Sequence, residues 1–160
     1  MKLLCYGDSN TYGYDPRGPI PGRYDAEDRW CDILAKNTSW TIINGGENGR
    51  IVPEPCWNYT DLKRMLAEHA PVDMTCIMLG TNDVLISSRM DISLIVTRME
   101  ALLDFLETGW PDMKLVLIML LLIPSLMTIV GAFLMTSITG FFIDEFYEQV
   151  ESVFGDTDSA

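Results

Sequence analysis

The string Gly7-Asp8-Ser9-Asn10 ends an apolar run, Leu3 to Tyr6, of the kind that forms a buried parallel strand. A hydroxyl at the carboxyl end of such a strand sits where a following helix or turn can direct backbone N–H groups at it. Alone the string says little, because a strand-end serine is more often a turn residue or helix cap than a nucleophile. Two further polar stops sharpen it. Gly46 follows a second β-rich run, Trp40 to Asn44, and Asn82 follows a third, Met74 to Leu79. In a parallel sheet the three stops converge on one edge. There a backbone N–H at Ser9, the Gly46 N–H and the Asn82 amide are suitable donors to the oxyanion that develops in acyl transfer.

The elements that must position these residues alternate along the chain. Thr11 to Ala26 is rich in Gly, Pro, Tyr and Asp, with Pro16, Pro19 and Pro21 blocking regular structure, and reads as a loop. Asp25 to Asn37 carries Trp30, Ile33 and Leu34 at helical spacing. From Thr60 a second helix sets Leu62, Met65 and Leu66 on one face, with Thr60 or Asp61 as cap, and ends near His69-Ala70-Pro71. Asp91 to Thr108 repeats Ile92, Ile95, Met99, Leu102, Leu103 and Leu106 every three or four residues, a long amphipathic helix. Lys114 to Ile123 reads as a fourth strand, and Phe141 to Phe154 as an acidic amphipathic helix with Phe142, Phe146, Val150 and Val153 on its apolar side. Strand and helix in alternation imply an α/β domain, a parallel sheet covered on both faces, with function at the carboxyl ends of its strands.

Composition narrows the partners. With 160 residues, 48% of them hydrophobic, the expectation is a single domain spanning residues 1–160. A net charge of −12 repels phosphate backbones and anionic bilayers, which argues against nucleic acid as a partner. Cys5, Cys31, Cys56 and Cys76 show no CxxC spacing and suit reduced thiols in a cytoplasmic protein, and the first apolar stretch is too short for a signal peptide. The segment 115–143 carries no charge, and about 20 apolar residues suffice to span a bilayer. Pro124, Ser125, Thr128, Gly131, Thr136, Ser137, Thr139 and Gly140 interrupt it, however. The preferred reading is a buried strand followed by an apolar segment used for packing or for homo-oligomer contacts rather than a membrane span.

Three ordered strings, Gly7-Asp8-Ser9-Asn10-Thr11-Tyr12-Gly13, Gly46-Glu47-Asn48-Gly49-Arg50 and Gly80-Thr81-Asn82-Asp83, resemble the first three blocks of SGNH (GDSL-like) hydrolases, especially their arylesterase-like branch. Asp28-Arg29-Trp30 and the Met78-Leu79 lead-in are similar to that branch as well. The resemblance implies a flavodoxin-like three-layer α/β/α sandwich. It also implies Ser9 as nucleophile, and an oxyanion hole built from the Ser9 N–H, the Gly46 N–H and the Asn82 side chain. Members of this family hydrolyse esters or thioesters of acyl, aryl or carbohydrate substrates without a metal or other cofactor, so the implied partner is a small-molecule ester.

The chain departs from that pattern in its last third. The family's fourth block, an Asp-x-x-His that supplies the base, has no counterpart here, and the last strand and histidine-bearing helix are expected to be missing. The one histidine, His69, ends the helix before the third strand, at the opposite edge from Ser9. General-base assistance contributes about 10²- to 10⁴-fold, so residual turnover is the most expected of a serine without it. The alternative is a non-catalytic ligand-binding or membrane-associated relative. Asp15, Glu47 and Asp83 make poor surrogate bases, since an exposed carboxylate has a pKa near about 4. Arg50 is either a subsite for a substrate anion or a loop anchor paired with an acid. Trp30, Trp57 and Tyr12 either line an acyl pocket or pack in the core.

Overall fold

The computed structural model describes residues 1–17, 22–57, 59–86 and 91–118. In chain order the elements are β1 (Lys2–Gly7), α1 (Ser9–Tyr12), β2 (Tyr14–Asp15), β3 (Gly22–Arg23), α2 (Trp30–Asn37) and β4 (Thr41–Gly46). After a 3₁₀ turn at Pro55–Trp57 come α3 (Thr60–Glu68), β5 (Met74–Met78), α4 (Thr81–Ile86), α5 (Ile92–Gly109) and β6 (Lys114–Leu117). Four strands form one parallel sheet in the order β4-β1-β5-β6. The chain winds outward from β1 in both directions, as in flavodoxin-like sheets, and this creates a crevice outside the carboxyl ends of β1 and β5.

β1 is central, which explains why its sequence is a continuous apolar run rather than an alternation. Leu3, Leu4, Cys5 and Tyr6 are all buried, with Leu4 and Tyr6 on the face that holds the main core. Over that face α3 lays Leu62 and Leu66, one turn apart, and α5 lays Leu102 and Leu106 likewise. Tyr59, Phe105 and Trp110 extend the layer through ring contacts, the centroids of the first two lying 4.5 Å apart. The α5 terminus follows from its cap: Asp91 accepts from the Leu94 N–H at 3.1 Å.

Several expectations shift. Part of the Thr11–Ala26 loop is ordered, because α1 continues to Tyr12 and β2 pairs antiparallel with β3. Gly13, at φ 84°, turns the chain between α1 and β2 in a conformation that suits glycine. Neither Thr60 nor Asp61 caps α3: the cap position is Tyr59, the Thr60 hydroxyl donates to Trp57 O, and Asp61 is drawn to arginines. The second strand runs on through Gly45 and Gly46, since Tyr6 and Gly7 pair with them. The fourth strand is described to Leu117. The remainder of the apolar segment 115–143, the helix expected over 141–154 and the expected loss of the family's last elements lie outside the described residues.

Removing a fully buried side chain should cost far more than removing an exposed one of the same helix. Leu106→Ala is expected to lower unfolding stability by about 2–5 kcal/mol, and Val96→Ala, 46% exposed, by less than about 0.5. Urea unfolding of both variants checks the assignment of the inward face of α5.

Candidate active site

The register brings the three motif strings to one edge of the sheet. Gly7 pairs with Gly46 on one side and with Met78 on the other, so the segments carrying Ser9, residues 47–50 and Asn82 all leave the sheet at its carboxyl end. Ser9 is the first residue of α1, where a backbone N–H has no partner within the helix. Asp8 caps this turn, its Oδ1 accepting from the Asn10 N–H at 2.9 Å and from Asn10 Nδ2 at 3.0 Å. Asp8 is fully buried, and burial pushes its carboxyl pKa up, opposed by the Asn10 bonds and by the nearby Thr81 hydroxyl. Neither Asp8 Oδ2 nor Thr81 Oγ1 completes a hydrogen bond of ordinary geometry among the described residues.

Gly46 has partners on both sides. Its N–H donates to Asn44 Oδ1 at 3.0 Å, and a Cβ at this position would lie 2.1 Å from Tyr12 N. The missing side chain is what lets α1 rest on β4. Gly49 has the opposite character. It is exposed, at φ 77°, with open space around its Cβ position, and its N–H meets no described acceptor. The Asn48-Gly49 dipeptide is a turn signal that could have singled it out in the sequence.

Asn82 joins the second string to the third. Its Nδ2 donates to Arg50 O at 3.0 Å and retains one further hydrogen. Arg50 itself is a loop anchor. Nη1 donates to Gly7 O at 2.7 Å and to Gly45 O, Nη2 donates to Glu47 at 2.8 Å and Asp61 at 2.7 Å, and the guanidinium lies 4.2 Å from the Tyr6 ring centroid. With both terminal nitrogens fully engaged, it has little left for a substrate anion. A cavity of about 340 Å³ opens beside this turn, with Tyr6, Gly49, Arg50, Trp57 and Tyr59 among its walls. Trp57 is 59% exposed there, so it is not core; Trp30 and Tyr12 are half-buried, and Tyr12 carries the Arg23 guanidinium 4.6 Å from its ring centroid.

The other carboxylates are occupied structurally. Asp15 binds Arg17 through both oxygens, which lowers its pKa, Glu47 pairs with Arg50, and Asp83 accepts from the Val52 N–H at 2.9 Å. His69 caps the far end of α3, where its carbonyl accepts from Lys2 Nζ at 2.8 Å. Lys2 opens the six-residue β1, and Ser9 follows that strand's other end, a separation of about 20 Å at 3.3 Å per residue. Among the described residues, no group of three or more His, Cys, Asp or Glu side chains is placed to hold a metal ion.

The sequence profile of the GDSL-like lipase/acylhydrolase family matches residues 5–148. The chain belongs to this family. The family fold recurs in solved structures. A protein from Agrobacterium tumefaciens designated an arylesterase is 28% identical, with a TM-score of 0.61 over 72% of this chain and 62% of that one. A carbohydrate acetylesterase from Sinorhizobium meliloti is 25% identical, with a TM-score of 0.61 over 92% of this chain and 80% of that one. The aryl esterase of M. smegmatis, at 24% identity and TM-score 0.61, covers 96% of this chain and 80% of its own, and shares the fold. The chain thus spans less than two thirds of the length of the Agrobacterium protein. No curated protein matches it.

Two substitutions separate the roles of the glycines, and one tests the buried acid. Gly46→Ala is expected to cost at least about 3 kcal/mol through the clash with α1, whereas Gly49→Ala should cost about 1–2 kcal/mol for its backbone conformation alone; urea unfolding compares them. For Asp8, an acid whose pKa is higher folded than unfolded stabilises the fold only while protonated, and this contribution is lost as pH rises through the folded pKa. Asp8→Asn should therefore gain stability relative to wild type as pH rises above about 4. A pH-independent difference in urea midpoint would contradict that direction.

Proposed function

We propose that this GDSL-like chain carries the nucleophile and oxyanion-binding half of a serine ester hydrolase acting on small acetyl or aryl esters. Ser9 is the nucleophile, and the oxyanion donors are the Ser9 N–H, the Gly49 N–H and the second hydrogen of Asn82 Nδ2. Gly46 takes the packing role, holding α1 against the sheet. The observation that carries this reading is the Asn82 Nδ2 bond to Arg50 O, which ties the third motif to the turn bearing Gly49 at the edge where Ser9 begins α1. Names of structural neighbours, arylesterase and carbohydrate acetylesterase, agree with esters of aryl or sugar alcohols as the substrate class, and the cavity flanked by Gly49 and Trp57 suits the alcohol portion.

Within these 160 residues the only histidine stands at the wrong end of the sheet, so the reading gives the chain by itself an unassisted serine. Its turnover should fall about 10²- to 10⁴-fold below that of a serine esterase with a base in place. A second reading, a relative that only binds such ligands, is favoured by the same observation. Among the described residues no helix is long and apolar enough to cross a membrane. The buried free thiols Cys5, Cys31 and Cys76 suit the reducing cytoplasm proposed for the chain. A homo-oligomer through 115–143 remains part of the proposal.

Hydrolysis of p-nitrophenyl acetate and labelling by a fluorophosphonate, measured for wild type and Ser9→Ala, decide between the readings. Slow turnover and single-site labelling that both vanish in Ser9→Ala are expected of the esterase. Equal behaviour of the two proteins would leave only ligand binding.

A further inference from the structure

Beyond Gly46 the chain leaves the sheet, and the backbone of residues 47–54 must find hydrogen bonds elsewhere. Two of them come from consecutive side chains at the start of α4. Asn82 Nδ2 donates to Arg50 O at 3.0 Å, and Asp83 Oδ2 accepts from the Val52 N–H at 2.9 Å. A carbonyl and the N–H two residues later are the pair that a single residue of a neighbouring parallel strand would satisfy. Asn82 and Asp83 thus replace a rung of the ladder that the sheet no longer supplies.

Resting on the esterase reading above, we propose that Asp83 is a positioning residue, holding the turn that carries Gly49 in the conformation that binds the oxyanion. The Asp83–Val52 bond is buried, with Asp83 7% and Val52 0% exposed, so nothing in solvent replaces it when it breaks. Arg98 on α5 braces the device. Its Nη1 lies 3.9 Å from Asp83 Oδ1, and its Nη2 bonds Glu54. The segment is therefore pinned at residues 50, 52 and 54, immediately after the peptide of Gly49. Asp83 touches neither substrate nor nucleophile in this scheme; it acts through Val52.

The kinetics of fluorophosphonate inactivation, separated into kinact and KI, together with hydrogen exchange at the Val52 amide, test the inference on the full chain. Asp83→Ala should speed exchange at Val52 and lower kinact about 10- to 100-fold with KI within about threefold, because misplaced donors cost the transition state rather than the encounter. Asp83→Asn, whose Oδ1 can still accept from Val52, should recover most of kinact. Wild-type kinact in Asp83→Ala despite fast exchange would overturn the positioning role. So would equal losses in Asp83→Ala and Asp83→Asn. If Asp83→Ala does not fold, Arg98→Met keeps the Val52 bond and removes its brace, and should lower kinact about three- to tenfold; an unchanged kinact there overturns the inference. A wild type no more reactive than Ser9→Ala sinks the esterase reading itself and the positioning role with it, a pattern distinct from each of the others.

Discussion

Arg50 is a nearly buried cation at the point where the sheet ends, and the local architecture hangs on it. One terminal nitrogen of its guanidinium donates to the carbonyls of Gly7, the last residue of β1, and Gly45, the last but one of the adjacent parallel β4, while the other holds Glu47 and Asp61. Strand ends usually leave such carbonyls to water or to the next turn. Here one planar group satisfies both, draws the turn after β4 back over β1, and anchors the first turn of α3. The stacking on Tyr6 keeps the plane of the fork in place from below. A lysine, a point charge without the fork, could not make the same set of bonds.

Around this cation the glycines divide the labour by geometry. Gly46 is small because another backbone lies against it; Gly49 is a glycine because the turn there needs a positive φ. The two demands look identical in a sequence and have opposite consequences for chemistry. The glycine crowded by α1 has its N–H turned to Asn44, while the N–H of Gly49, on an open turn, meets no described acceptor. The first motif divides its acid in the same way: Asp8 uses one oxygen to cap α1 and keeps the other buried.

The edge on which the three motif strings meet is assembled with very little chain. Four parallel strands, a one-turn helix and a loop held by Asn82 and Asp83 suffice to bring those strings together, and among the described residues none of these contacts involves a histidine side chain. In acyl-transfer sites generally, the oxyanion donors and the base that moves the proton are distinct groups that separate elements can supply.

Much of the fold was legible in the residues. Short continuous apolar runs closed by polar turns suit strands of a doubly covered sheet, the three-four spacing of Leu102 and Leu106 marks an inward helix face, and the polar stops after the strands mark the edge where the motif strings meet. The family was legible too, because three ordered strings that span strand ends cannot recur together by chance. What the sequence left open were choices made by contact. What Gly46 packs against depends on where α1 lies, and α1 is remote from it in sequence. Whether Arg50 binds a ligand or the protein depends on where two strand ends lie, and whether Asp83 is a base or a brace depends on the position of the Val52 amide. Composition and spacing determined the elements and their order, since burial and hydrogen-bond satisfaction are local demands on each segment. The partners of the polar groups were decided only when the sheet brought distant segments together, because a hydrogen bond a few ångströms long cannot be read from residues tens of positions apart.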